Sequence, residues 1–206
     1  MLTRHIIGID EVGRGPLAGP VVVAVVCIPA GFKPAKSPGG IKDSKQLTAM
    51  QREAWSAYLR THRQVKYAIA RVNPVGIDRL NISKAANRAA KQALTRLLAK
   101  NRIGLRQARI ILDGGLYIGS KEEQKNYPAK SSPKADERFP VVAYASIIAK
   151  VHRDRYMVKK GKEFPQYGFA EHKGYGTRSH GRALKKYGAT PLHRLTFTRK
   201  YHRLPR

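Results

Sequence analysis

The residues whose types and positions could do chemistry are acids near the ends of predicted strands. Asp10 and Glu11 follow an apolar run close to the start of the chain and precede a turn with several glycines and one arginine. Asp113 and Asp136 stand at or just beyond the ends of later strands. Most other acids fall in helical or lysine-rich stretches, which indicates solvated surface. Position along the chain therefore marks these four carboxylates as a candidate cluster.

A cluster of carboxylates is a site for a hard cation. Without cysteine sulfur or a patterned set of histidines, carboxylate oxygens favour Mg²⁺ or Mn²⁺ over zinc. Four acids at close range repel one another, which raises the pKa of some of them until a divalent ion joins them. With a polyanionic partner, this predicts two-metal phosphodiester chemistry, in which ions about 3.5–4 Å apart activate water and stabilise the leaving oxygen.

Each acid also has a purely structural interpretation. Asp10 and Glu11 could form a surface turn with salt bridges, and Asp113 could begin an Asp-Gly turn. Asp136 could be the N-cap of the helix that follows it. In addition, neighbouring residues of a regular strand point to opposite faces, so Asp10 and Glu11 reach one site only if the strand ends or twists there. The glycines around the pair allow such a departure.

The charge of the chain points to the partner. Its 41 Lys and Arg against 13 Asp and Glu give a formal net charge of +28, which predicts a polyanion and, first of all, nucleic acid. No long amphipathic helix pairs a basic face with aromatic anchors, so a membrane-surface role is disfavoured. The single cysteine, Cys27, excludes an internal disulfide and a cysteine-based zinc site. We expect a cytoplasmic protein that is a monomer and binds no membrane.

The acids need a sheet to position them. Near-continuous apolar character in the first two strands predicts a sheet covered on both faces. The predicted strands are residues 5–10, 21–28, 65–72 and 109–112. The predicted helices are residues 48–63, 83–100, a segment from just after Asp136 to about 160, and 178–187. At 206 residues the chain is long enough for one domain with a real core.

Two stretches are predicted to lack regular structure. Residues 119–135 are rich in lysine and poor in apolar residues, which predicts a mobile loop that closes on a short extended piece, Lys134-Ala135. The basic tail from Pro191 onward is expected to be irregular. Between them, residues 167–177 interleave aromatic and basic side chains in a predicted loop.

The residues also carry a family resemblance. The segment Gly8-Ile9-Asp10-Glu11-Val12-Gly13-Arg14-Gly15-Pro16-Leu17-Ala18-Gly19-Pro20 closely resembles the opening motif of the type 2 ribonucleases H, in particular the bacterial ribonuclease HII family. Further matching blocks are Asp43-Ser44-Lys45-Gln46-Leu47, Leu112-Asp113-Gly114, Lys134-Ala135-Asp136, Ala145-Ser146-Ile147-Ile148-Ala149-Lys150-Val151, Arg153-Asp154-Arg155, His172-Lys173-Gly174-Tyr175 and Pro191-Leu192-His193-Arg194-Leu195. A single block would mean little, whereas the ordered set is highly specific.

The resemblance implies an α/β fold of the ribonuclease H type, with a central mixed five-stranded sheet flanked by helices and a small helical C-terminal part. Residues 1–165 would form the catalytic domain. Residues 166–206 would form a basic loop and helix segment that packs on it and carries a substrate-contacting tyrosine. The implied activity is endonucleolytic cleavage of the RNA strand of RNA–DNA hybrids, and incision 5′ of single ribonucleotides embedded in duplex DNA, leaving a 5′-phosphate and a 3′-hydroxyl.

The resemblance also assigns roles to individual residues. Asp10, Glu11, Asp113 and Asp136 match the family's metal-binding and catalytic carboxylates, which implies Mg²⁺ or Mn²⁺, with two ions in the substrate complex. Gly13, Arg14 and Gly15 match its junction-sensing motif, and Tyr175 matches the tyrosine that contacts the sugar at the RNA-to-DNA step. Ser44 and Lys45 resemble phosphate contacts, with a solvated loop as the equal alternative.

Other interpretations stay open at this point. The family usually has glycine where this chain has Ala135, so the approach of Asp136 to the other acids is left undecided. A type HIII-like ribonuclease H would share most of the motifs. The high positive charge would also suit a non-catalytic basic protein that binds nucleic acid, although acids in a phosphate-binding cleft repel the ligand unless a cation bridges them.

Overall fold

A mixed five-stranded sheet forms the centre of the protein. The structure is a computed structural model that describes residues 4–34 and 47–201. The strands are β1 (His5–Val12), β2 (Val21–Pro29), β3 (Lys66–Val72), β4 (Ala108–Asp113) and β5 (Ala129–Ser132). Their spatial order is β3-β2-β1-β4-β5, with antiparallel pairing from β3 to β1 and parallel pairing from β1 to β5. The expected fold class is confirmed.

Helices cover both faces of this sheet and extend beyond it. They are α1 (Ala49–Thr61), α2 (Pro74–Leu80), α3 (Ile82–Asn101), α4 (Lys121–Gln124), α5 (Ala135–Arg138), α6 (Pro140–Glu163), α7 (Phe169–His172), α8 (Arg178–Tyr187) and α9 (Leu195–Thr198). Thr48 caps α1, because its Oγ1 accepts a hydrogen bond from the Gln51 N–H and its own N–H donates to the Gln51 side chain. Within the described ranges, no helix has the length and apolar character needed to cross a membrane.

Two apolar cores lie on the two faces of the sheet. Alternate β1 and β2 residues, such as Ile9 and Val23, pack against α3. The residues between them, such as Ala24, pack against α6 and α1. The strands are therefore apolar on both sides, as their sequence predicted. Cys27 is buried among the α3-side residues.

Gly8 lets α6 lie directly on β1. A Cβ at this position would overlap the backbone carbonyl of Val141 at the start of α6. Only glycine permits this approach, which brings the first turns of the helix against the strand that carries Asp10 and Glu11. The helix continues past the end of the strand, so its later turns border the space beyond the sheet.

The predicted loop at residues 119–135 is wrong in part. It contains α4 and the edge strand β5, which pairs with β4. The Lys134-Ala135 pair is not extended, because Lys134 takes a left-handed conformation at φ +52° and Ala135 begins α5. Asp136 is also not the N-cap of the long helix, since it lies inside α5 and Phe139 occupies the N-cap of α6.

The tail also has more order than its composition predicted. Beyond Pro191, the helix α9 begins at Leu195 and a 3₁₀ turn follows it. A third apolar cluster joins Ala18 of the turn after β1 and Met157 of α6 to Tyr167, Phe169 and other residues of the C-terminal segment. An isolated β-bridge between Ala18 and His193 adds a backbone connection.

Candidate active site

A cavity of about 340 Å³ opens beyond the end of β4. All four carboxylates singled out from the sequence line it, and so does Tyr175 of the C-terminal segment. The lining side chains are Asp10, Glu11, Val12, Arg52, Asp113, Asp136, Ser146, Ile147, Lys150 and Tyr175. In a chain with 13 acids, the meeting of these four in one cavity sets them apart from the other acids that the structure describes.

The strand pairing explains how neighbouring Asp10 and Glu11 both reach this cavity. β1 pairs with β2 through Val12, so it does not end at the two acids. Their side chains leave on opposite faces, because the β2 partner of Glu11 lies in the α3-side core and that of Asp10 in the α6-side core. However, the pairing of β1 with β4 stops at Ile9, before the two acids. The strand edge beside both acids is therefore open, and the cavity lies against that edge.

Asp113 and Asp136 are brought together by one backbone contact. Asp113 ends β4, and its Oδ1 accepts a 2.7 Å hydrogen bond from the N–H of Ala135. This bond holds the start of α5 against the end of β4 and places Asp136, which is 3% exposed, at the cavity wall. Ala135 is buried in the α6-side core and begins a helix, so this position has no need of glycine. From the sequence alone, it was undecided whether alanine at this position allows Asp136 to approach the other acids.

The site disfavours negative charge in the absence of a cation. Burial raises the pKa of Asp10 well above its ordinary value of 3.8, and the charges of Glu11 and Asp113 raise it further. The pKa of Glu11 is also raised, chiefly by burial, although the nearby Arg14 guanidinium opposes the shift. The predicted mutual repulsion of the acids is present at these two residues.

The donor set fits a divalent cation. Glu11 Oε2 is buried and has no hydrogen-bond partner among the described residues, and a cation would satisfy it. Within residues 4–34 and 47–201, no three Asp, Glu, His or Cys side chains are already arranged to hold a metal ion. Mg²⁺ typically binds through one or two carboxylates and completes its coordination with waters and substrate phosphates. The cavity matches that mode of binding.

The turn after β1 lies beside the cavity. Arg14 Nη1 donates to Glu11 Oε1 at 3.2 Å, and Nη2 donates to Ser83 Oγ at 3.0 Å. Gly13 adopts φ +91°, a conformation that favours glycine. Gly13 is buried whereas Gly15 is exposed, and neither lines the cavity itself. Ser44 and Lys45 lie outside the described residues.

Tyr175 faces the carboxylates from the C-terminal segment. Its side chain is 42% exposed, so the ring is available to a ligand. Its backbone is held on both sides, because the N–H donates to the His172 carbonyl at 2.9 Å and the carbonyl contacts His180 Nδ1 at 2.9 Å. Arg153 lies under the ring, with its guanidinium carbon 5.8 Å from the ring centroid.

Comparison with known proteins identifies the family. The family profile described as Ribonuclease HII matches residues 7–200. The chain belongs to the ribonuclease HII family. Ribonuclease HII from Geotalea daltonii is 41% identical over 191 residues, covering 93% of this chain and 81% of that protein. Ribonuclease HII from Acholeplasma laidlawii is 41% identical over 193 residues, covering 94% and 87%. The crystal structure of ribonuclease H2 from Pyrococcus horikoshii OT3 superposes with a TM-score of 0.75 at 28% identity over 96% of each chain.

The chain is therefore a hydrolytic ribonuclease of type HII, as the ordered motifs indicated. Around the cavity of this ribonuclease HII, the structure adds side chains that sequence reasoning gave no role. Ser146 makes a side-chain hydrogen bond to Asp10. Lys150 lies one turn further along α6, with its Nζ 3.0 Å from Asp154 Oδ1, and Arg52 reaches the cavity from α1. The sequence did carry one signal for these roles, because Ser146 and Lys150 are polar or charged residues in a part of α6 that is otherwise apolar.

Proposed function

We propose that this ribonuclease HII is a Mg²⁺- or Mn²⁺-dependent endonuclease that cleaves the RNA strand of RNA–DNA hybrids. We further propose that it incises 5′ of a single ribonucleotide embedded in duplex DNA and leaves a 5′-phosphate and a 3′-hydroxyl. The observation that carries the proposal is the shared cavity of Asp10, Glu11, Asp113 and Asp136, faced by Tyr175.

The four carboxylates are proposed to hold two divalent ions. Bound there, the ions would supply charge neutralisation for the scissile phosphate and an activated water. Ser146 fixes the carboxylate of Asp10 by a hydrogen bond, and the Ala135 N–H fixes that of Asp113. Arg14 holds one oxygen of Glu11 and leaves the other directed into the buried site.

The acids favour a catalytic protein over a simple basic binding protein. Burying carboxylates in a cleft that attracts phosphate costs binding energy, because like charges repel at short range. Arg52 and Lys150 line the same cavity and are suited to a phosphodiester. The arrangement supports a site in which a polyanion is held next to acids that a cation has neutralised.

We propose that residues 13–15 and Tyr175 recognise the sugar. Residues 13–15 present backbone and a guanidinium close to Glu11, and glycine permits close approach of a ligand. The 2′-hydroxyl is the group that distinguishes RNA from DNA, so a contact to it decides which strand is cut. Tyr175 offers a flat, partly exposed ring for the adjoining sugar. Residues 1–165 would thus carry the carboxylates and residues 166–206 the tyrosine.

A single embedded ribonucleotide is the decisive substrate. We would incubate the protein with a labelled duplex that contains one ribonucleotide, with Mg²⁺, Mn²⁺ or EDTA, and map the cut at nucleotide resolution. The expected result is metal-dependent incision on the 5′ side of the ribonucleotide. Cleavage of long hybrids alone would favour a type HIII-like specificity, and no metal-dependent cleavage of either substrate would refute the proposal.

Asp113→Asn tests the assignment of the carboxylates. We expect turnover to fall by orders of magnitude while the duplex still binds, because positive charge supplies most of the affinity. Glu163→Gln is the matched control, since it also removes one carboxylate but lies exposed at the end of α6. Equal activity in both variants would remove Asp113 from the catalytic set.

A further inference from the structure

Two arginines are completely buried behind the turn that follows β1. Arg153 lies on α6 and Arg194 immediately before α9, and each has a relative exposure of 0%. In the described part of the chain, neither guanidinium forms an ion pair with an acid. A buried cation without a counter-ion is costly unless its donors are satisfied in another way. The partners of these donors therefore show what the arginines hold.

Every donor nitrogen of Arg194 binds a backbone carbonyl of the 13–20 loop. Nε donates to Gly19 O at 3.0 Å, Nη1 to Arg14 O at 2.8 Å and Nη2 to Gly13 O at 2.6 Å. Two of these carbonyls belong to the proposed recognition turn itself. The guanidinium fork thus fixes the orientation of the peptide planes on both sides of Arg14.

Arg153 holds the same loop from the other side and joins it to the segment before Tyr175. Nε donates to Pro20 O and Nη2 to Ala18 O, both at 3.0 Å, whereas Nη1 donates to Lys173 O at 2.9 Å. The packing is close, because a Cβ at Gly13 would overlap the Arg153 side chain. The guanidinium also lies under the ring of Tyr175.

The two arginines add charge as well as hydrogen bonds. Burial lowers the pKa of both, that of Arg194 to about 9. An arginine guanidinium keeps its charge at neutral pH. Their hydrogen-bond partners are neutral carbonyls, whereas Asp154 attracts Arg153 and Asp78 attracts Arg194 without forming an ion pair. Both lie behind the loop, and Arg153 lies beneath Tyr175, so they add a positive potential in a site that would receive a sugar-phosphate backbone.

We propose that Arg153 and Arg194 are positioning residues that align the 13–20 loop and Tyr175 for recognition of the ribonucleotide. The pair, which we call the arginine clamp, sets the preference for ribonucleotide-containing duplexes over all-DNA duplexes. The inference rests on the proposed function, because it assigns the origin of specificity within the same site. The buried apolar cluster of Ala18, Met157 and Phe169 already packs this region, so the two arginines are not required there to fill the interior.

The variants Arg194→Lys, Arg194→Met and Arg153→Lys separate positioning from simple stability. Lysine keeps the charge and one donor but lacks the fork, whereas methionine removes both. We would measure kcat and KM on the single-ribonucleotide duplex and on a long hybrid. Displacing the turn by about 1 Å should cost about 10²-fold in incision at the single ribonucleotide. A long hybrid can bind at many positions along its RNA strand, so its cleavage should fall less. The activities of the lysine variants should lie between those of wild type and Arg194→Met.

Leu94→Ala is the stability control. Leu94 is buried in α3, on the sheet face opposite α6, and is not a hydrogen-bond partner of either arginine, so its truncation lowers the Tm without removing a clamp hydrogen bond. We expect the ratio of the two kcat/KM values to stay at the wild-type level in this control and to fall in the clamp variants. An unchanged ratio in clamp variants that have lost as much Tm as Leu94→Ala would overturn the inference. If Arg194→Met does not fold, the two lysine variants decide.

A binding measurement keeps the inference separate from the proposed activity. With Ca²⁺ as the added ion, we would measure by fluorescence anisotropy the Kd for a single-ribonucleotide duplex and for an all-DNA duplex of the same sequence. The expected result is a preference in wild type that is clearly smaller in Arg194→Lys and Arg153→Lys. If wild type cleaves neither substrate, the proposed function fails, while this ratio still tests the clamp. A preference retained undiminished in both lysine variants, or absent from wild type, would contradict the proposal.

Discussion

Asp10→Asn should make the metal-free protein more stable while it removes activity. The Asp10 side chain is 5% exposed, accepts the Glu11 N–H at 2.8 Å and bonds to Ser146. Asparagine has the same shape, and its amide oxygen can keep the bond from Glu11. The change therefore removes one buried negative charge that faces Glu11 and Asp113, with little loss of packing.

The direction follows from the pKa of Asp10, which is raised in the folded protein above its ordinary value of 3.8. A group of this kind contributes its full stability below its unfolded pKa and loses that contribution as the pH rises through the folded pKa. The unfavourable contribution of Asp10 is therefore larger at pH 7.5 than at pH 4. Removing a buried charge that lacks a counter-ion should raise the free energy of unfolding by about 1–3 kcal/mol. For a chain of this length, this corresponds to a Tm increase of about 2–12 °C.

Thermal unfolding in EDTA at pH 7.5 and at pH 4 measures the effect, with turnover assayed in parallel. Glu163→Gln is the control, since it raises the net charge of the protein equally but removes an exposed acid. We expect a higher Tm for Asp10→Asn at pH 7.5, a smaller difference at pH 4, and less stabilisation by Mg²⁺ than in wild type. A Tm equal to that of wild type in EDTA, or a difference that does not depend on pH, would refute the reasoning.

Three further predictions follow from the glycines, a buried histidine and the exposed ring. Gly8→Ala should lower the free energy of unfolding by about 1–3 kcal/mol, because the added methyl group overlaps the Val141 carbonyl. The methyl group of Gly15→Ala would point into open space, so this control should leave the Tm unchanged in the same thermal melt. Burial lowers the pKa of His180 below 6.5, so the unfolded chain takes up a proton first, and stability present above pH 6.5 should be lost as the pH falls further. Thermal melts from pH 8 to 5 should show this loss in wild type and a weaker one in His180→Asn. Tyr175→Phe should retain most incision, whereas Tyr175→Ala should lose about 10-fold or more if the ring stacks on substrate, as single-turnover kinetics would show.

The sheet and the long helices could be predicted from the sequence because burial imposes its pattern there. β1 and β2 are covered on both faces, which leaves near-continuous apolar runs, and α3 has a clear apolar face. The meeting of the acids in one cavity also followed, since β1 and β4 are parallel neighbours whose carboxyl ends lie together. The open edge beside Asp10 and Glu11 did not follow, because it depends on where pairing with β4 stops.

Short elements in charged sequence were the main failures. α4 is four residues long, and its only local signal was the capping box of Ser120 and Glu123, which the lysine-rich composition obscured. β5 is stabilised by pairing with β4 at the sheet edge, and a single-sequence pattern carries no record of that partner. The burial of Arg153 and Arg194 was also hidden, because composition indicates that most arginines in a chain of this charge are solvated.

The helix α6 has a consequence for where the protein would cut. Ser146, which bonds to Asp10, and Arg153, which holds the loop proposed to read the sugar, lie on this one uninterrupted helix. Seven residues at a rise of 1.5 Å place them about 10 Å apart and within about 20° of the same helix face. Under the proposed function, the rise and twist of this helix, rather than the conformation of a loop, would set the distance between the bond that is cut and the sugar that is recognised. Substitutions on the helix surface should weaken or strengthen cleavage without moving the cut, whereas a one-residue insertion between Ser146 and Arg153 would turn the two groups about 100° out of register.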